Sequence, residues 1–414
     1  MLLPQSPCVL ADNPPLKKLS ILNSGVDMYL RLNSKHIHVR CWQFAAVLVA
    51  FFFAQAATAD TVKYYRNMVF RESPVEDIRG RQEIDAATAQ QVIHFRFRYD
   101  EQNRLTEVSR RVGDKLTEND GSFPGFFWWA PKVDISYTDG KEIRHFSNVA
   151  NEHTSAHGKV YRMEFALDAK HRRSRLNYFD KDGKPVDGEW GIHEYRWSYP
   201  QSGVIIEERS NVAGAPATMR TDFKFNTIRM EFGDDDLLDF VFNIDANGGL
   251  VENETGAAVD RIVYDFHANF IRWQVYDKKR LPKNGNYPLV AMGEYTYDQL
   301  GNSMMLRGYG EQGENRLFSW GGNQPFSYDK RGNITSIGTV DLDGKLVREE
   351  RLEYSDDGSR LEWVKYYGSD GKPDPNQPYF ALKLLYSDKG LRLGARPHDI
   401  NLKPVPPPKR PAKQ

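Results

Sequence analysis

The chain has 414 residues, enough for two or three ordinary domains or for one long repeat array. Its 56 basic residues balance 56 acidic ones, which excludes the cationic excess of a general nucleic-acid binder. Aromatic residues make up 13% of the chain, and Tyr, Phe and Trp suit pleated, half-buried surfaces, so the composition points to β structure.

The first element in chain order is a targeting signal. Lys35 and Arg40 precede an apolar run from Phe44 to Ala54, too short for a membrane-spanning helix of about 20 residues. Ala57-Thr58-Ala59 then supplies a small-x-small cleavage pattern. Residues 1–59 therefore read as an N-terminal extension with a secretory signal peptide, the start at Met28, and cleavage after Ala59. The alternative is an uncleaved anchor. The mature chain would be periplasmic or secreted and would hold no transmembrane segment. Cys8 and Cys41 both precede the cut, so no disulfide can staple the rest. Removing the five basic and two acidic residues of 1–59 leaves 51 against 54.

Residues 60–94 read as an N-terminal cap, with a short helix at Asp85–Val92 that covers the first sheet edge. From 95 to 398 a repeat takes over. Segments such as Phe95-Arg-Phe-Arg-Tyr99, Tyr195-Arg-Trp-Ser-Tyr199 and Ile228-Arg-Met-Glu-Phe232 alternate apolar and polar residues, the period of a strand with one buried face. Each ends on an aromatic anchor. The anchors are Tyr99, Tyr137, Phe165, Tyr199, Phe232, Tyr264, Tyr297, Tyr328, Tyr354 and Tyr386, spaced by 26–38 residues around a period near 32. Gly203, Gly301, Gly332, Gly358, Gly390 or Asn103 stands four residues after the anchor, where a left-handed turn is predicted. Asp100, Asp265, Asp298 and Asp329 open such turns. A second strand follows, as in Asn333–Ile337, and Asp182-Gly183, Asp343-Gly344 and Asp370-Gly371 mark a second hairpin.

Tyr328-Asp-Lys-Arg-Gly-Asn-Ile-Thr-Ser-Ile337, Tyr297-Asp-Gln-Leu-Gly-Asn302 and Tyr99-Asp-Glu-Gln-Asn-Arg-Leu105 resemble the YD repeat of Rhs-type and teneurin-like proteins. The resemblance is degenerate, covers roughly residues 95–395, and lacks a toxin domain. It implies β-hairpin repeats winding into a sheet or shell, and it brings no catalytic residue. One repeat cannot bury its own apolar face, so neighbours must stack. The predicted fold is all-β, an elongated twisted antiparallel sheet or open shell of about ten hairpin repeats. A propeller-like closure is the alternative. Residues 399–414 read as a disordered tail rich in Pro and Lys.

Few residues carry chemistry. Phe126, Phe127, Trp128 and Trp129 lie in the longest anchor interval and suggest a stacking platform for a ligand, or else a plug for one sheet end. His145, His153, His157, His171 and His193 match no zinc spacing and read as loop histidines. Gly233-Asp-Asp-Asp236 with Asp239, and Asp180–Lys184, read as polar turns rather than calcium loops. No catalytic motif, metal site or cofactor is assigned. The functional expectation is an exported bacterial envelope protein that binds or scaffolds a polysaccharide or protein partner. The alternatives are a polysaccharide-acting enzyme with a carboxylate pair in an inter-repeat groove, and an inhibitor or immunity-type partner of a secreted toxin.

Overall fold

The computed structural model describes residues 60–118, 130–220 and 223–407. Its fold is all-β, with 24 antiparallel strands in a single open sheet. The ladder starts at the edge strand Gly80–Ile84, passes through Thr61–Met68 to Ile93–Tyr99, and then follows chain order to Arg392–His398. Two-residue stubs at Lys115–Leu116 and Asn315–Arg316 hang on it as short hairpins. The propeller alternative does not occur: hydrogen bonding runs unbroken from repeat to repeat, without the separate sheets that blades would form.

The sheet coils. The Ile93 amide donates to the Arg331 carbonyl at 2.9 Å. Lys115 pairs with Asp357 at 2.6 Å, and Lys389 with Glu152 at 2.5 Å. These last two pairs join residues 242 and 237 positions apart. A constant offset near 240 at a period near 32 means that about seven and a half repeats complete one turn. The steady right-handed twist of paired strands supplies the curvature, and bulges in most of the hairpins increase it.

Every repeat buries alternate residues inward, such as Phe97, Val133, Met163, Phe165, Leu176, Ile228 and Met230. At about 1.5–3 kcal/mol per fully buried side chain, this stripe drives neighbouring repeats together. Aromatic rings also shield two of the strand glycines. Trp273 lies over Gly293 and Tyr65 over Gly80, close enough that a Cβ at either glycine would collide with the ring.

Residues 60–94 do more than cover an edge. Thr61–Met68 and Gly80–Ile84 add two strands to the sheet, and the helix is a single turn, Ala86–Ala89, capped by Asp85. Between the two strands, residues 69–79 leave the ladder and thread the inside of the coil as a strap. Phe70 stacks on Phe270 at 4.4 Å. Arg71 is 1% exposed and Ser73 fully buried. Ser73 donates to Glu207, and Glu72 pairs with Arg220, residues far away in sequence on the surrounding wall.

The repeat also extends beyond residue 398. Asp399 accepts amide hydrogens from Asn401 and Lys403, and the Val405 amide donates to Pro397. The chain from 399 to 405 is thus the last repeat turn rather than part of a tail. Residues 408–414 lie outside the described residues.

A candidate binding recess between the strap and the repeat turns

The anchors sit at strand ends, and five of the ten fasten repeat to repeat through their hydroxyls. The hydroxyls of Tyr137, Tyr199, Tyr297, Tyr328 and Tyr386 donate to the carbonyls of Leu105, Arg173, Phe270, Ser303 and Leu361 at 2.6–3.0 Å. Each bond reaches back to the previous repeat. The ladder register slips at Tyr99, Phe232, Tyr264, Tyr297, Tyr328, Tyr354 and Tyr386, which places a bulge at the anchor. Around Phe165 the slip falls at Leu167, and Asp168 opens the turn. Leu167 therefore holds the anchor position there, while Phe165 is fully buried one pleat earlier.

The turns are built by their aspartates. Oδ1 of Asp298 accepts from the amides of Leu300 and Asn302, and Oδ2 from the Asn302 side chain. Asp265 and Asp329 repeat this arrangement. Where Arg replaces that Asn it reaches further: Arg104 lies 4.5 Å over the Tyr137 ring and Arg172 4.0 Å over Tyr199. A second motif escaped sequence reading. Five of the far turns, at the strand ends opposite the anchors, have a proline five residues after the opening one, at Pro185, Pro216, Pro282, Pro373 and Pro404, each bridged to the residue just before its turn; Leu250 takes that place after Asp245. The signal was visible as Asp180–Pro185, Asn211–Pro216 and Asp277–Pro282.

Five near turns, following Tyr99, Tyr137, Leu167, Tyr199 and Phe232, converge on the strap and enclose a recess of about 1090 Å³. Its walls carry Gln102, Thr138, Gln201 and Ser202, and its floor is Val75, Glu76 and Asp77. Arg173 ties floor to wall. It donates to the Val75 carbonyl at 2.9 Å, to Asp77 at 2.9 Å and to Glu142 at 2.8 Å. The other oxygen of Glu142 accepts from Arg144 Nε at 2.7 Å. Burial alone would raise the Glu142 carboxyl, but Arg144 and Arg173 overcome it and hold it near 2. Glu76 goes the other way. Burial pushes it up to about 7, against the Ser73 and Glu72 amides that bond its Oε1 at 2.9 and 2.7 Å.

The remaining candidate residues fall elsewhere. Phe126, Phe127, Trp128 and Trp129 lie outside the described residues. His157 is not a loop-surface residue: it is 2% exposed, packs against Trp190 and Tyr178, and burial lowers its basicity to about 4. The His145 and His153 rings lie 5.4 Å apart and tilted by 58°, without a third ligating group among the described residues. Asp180 uses Oδ1 on the amides of Asp182 and Lys184, as the other turn aspartates do. Among the described residues no cluster could hold a metal ion, and no helix is long and apolar enough to cross a membrane.

No family model matches the sequence, and no curated protein aligns with it. Among solved structures, a porin-like protein from Bacteroides uniformis ATCC 8492 is similar over 74% of this chain and 96% of its own, at 13% identity and a TM-score of 0.21. The TcdB2-TccC3-TEV structure is similar over 73% of this chain at 10% identity and a TM-score of 0.16; this chain spans 20% of its length. Both superpositions are too loose to carry functional meaning.

Proposed function

We propose that the protein is an exported scaffold of the bacterial envelope that binds a polysaccharide in the recess between the near turns and the strap. The observation behind this reading is the recess itself. It joins the turns of five successive repeats, and its walls carry amide and hydroxyl side chains at Gln102, Thr138, Gln201 and Ser202 beside the charged Arg79, Arg104, Asp139 and Arg172. Such groups exchange hydrogen bonds with water for hydrogen bonds with a polyhydroxylated chain. A role as a container has no support, because the strap occupies the inside of the coil. The enzymatic alternative requires two available carboxylates at a glycosidic bond. Of the recess carboxylates, Glu142 is held by Arg144 and Arg173 and Asp77 by Arg173, while Asp139 and Asp236 stand on separate turns, those after Tyr137 and Phe232. Export rests on the signal-like segment that ends at Ala59.

The test uses residues 60–414 and immobilised envelope polysaccharide. Gln102→Trp with Ser202→Trp fills the recess from exposed turn positions. Retention should fall at least tenfold with thermal stability unchanged. Equal retention of both proteins, or none for the unmodified chain, would overturn the proposal.

A further inference from the structure

Among the described residues, most charged side chains inside the coil are paired; Arg71 and Asp260 are not. Glu207 takes Arg209, Glu72 takes Arg220, and Glu142 takes Arg144 and Arg173. Arg71, at the deepest point of the strap, is 1% exposed, and its Nε and Nη1 have no hydrogen-bond partner among the described residues. Its charged surroundings do not compensate. Arg144 and Arg173 repel it, while Glu76 and Asp77 attract it. Glu76 spends Oε1 on backbone amides, and Asp77 pairs with Arg173. A buried guanidinium is costly unless an acceptor, best an anionic one, meets its N–H groups. Three arginines therefore lie near one another at the recess floor, and Arg71, whose Nε and Nη1 lack a partner, is the most deeply buried.

We infer that this interior cluster is an anion site, in which Arg71, backed by Arg144 and Arg173, takes one compact oxyanion of the carboxylate or phosphate class. The inference stands independently of the polysaccharide reading. Glu76 lines the recess and is a charged neighbour of Arg71. Glu76 also sets the pH dependence. It faces Arg71 and Glu72 on the strap and Tyr264 on the strand Val259–Tyr264. Ionised, Glu76 supplies negative charge beside Arg71 and opposes a second anion. Protonated, it leaves the excess positive charge of the cluster for the ligand. Burial places that exchange at about pH 7, so binding is coupled to uptake of a proton.

Calorimetric titration with acetate and with inorganic phosphate, at fixed ionic strength set with chloride, tests this. Affinity for at least one of the two probes should rise roughly tenfold from pH 8 to pH 6, the change in the protonated fraction of a group titrating near 7. Glu76→Gln should bind with the pH 6 affinity at both pH values, and Arg71→Met should not bind. If Arg71→Met does not fold, Glu76→Gln decides alone. Absence of binding in both the unmodified protein and Glu76→Gln, or a pH dependence that persists in Glu76→Gln, would overturn the inference.

Discussion

Tyrosine recurs at the anchors because two properties are used at once. The ring fills the seam between hairpins, and the hydroxyl reaches a carbonyl that the bulged register leaves available. Phe232 keeps only the first property, and Leu167, at the anchor position of its repeat, has neither. A neutral hydrogen bond of this kind contributes about 0.5–1.5 kcal/mol, and leaving its carbonyl unsatisfied costs a similar amount. Tyr297→Phe should therefore lower unfolding free energy by about 1 kcal/mol in chemical denaturation, with the denaturant slope unchanged. A neutral effect would show that the ring alone does the fastening. The anchors, the opening aspartates and the left-handed fourth position were legible in the sequence because each is a local requirement, met within five residues. The burial of His157 was not, since it depends on Trp190 and Tyr178, which reach it only after the hairpins pair.

At the scale of elements, the near turns serve as docking points as well as hairpin ends. Gly301 shows both uses. Its φ is +75°, and its carbonyl accepts from Asn67 and Arg81 at 3.3 Å. A Cβ there would run into the Gln82 side chain. Gly344 has nearly the same backbone, φ +78°, with open space around it. Alanine at either position incurs about 1 kcal/mol of left-handed strain. Gly301→Ala should therefore exceed Gly344→Ala by about 1 kcal/mol or more in thermal or chemical unfolding. Equal losses would mean that the N-terminal hairpin does not rest on this turn. Sequence reading found the turns and the hairpin but not their contact. The partners, Asn67, Arg81 and Gln82, are polar residues more than 200 positions away that carry no periodic mark.

At the scale of the whole molecule, the coil and its strap define one another. A sheet this curved leaves an interior to be filled, and the inward stripe of each repeat fills only part of it. The strap supplies the rest with Phe70, Val75 and Ile78, and its polar and charged groups meet Glu207, Arg220 and Arg173 on the wall. The all-β class and the repeat period could be read in advance because they follow from alternation and turn chemistry. The strap could not. Its residues, Arg71-Glu-Ser-Pro-Val-Glu-Asp77, have the composition of an exposed loop, and only the enclosing wall makes them interior. Hydrogen exchange, followed by mass spectrometry on peptides covering residues 69–79 of the native protein, measures this most directly. The Val69, Glu72 and Ser73 amides are bonded inside the coil, so they should exchange as slowly as the strand Arg162–Leu167, near the rate of global unfolding. Exchange within seconds, as for an exposed linker, would contradict a coil wrapped around its own chain.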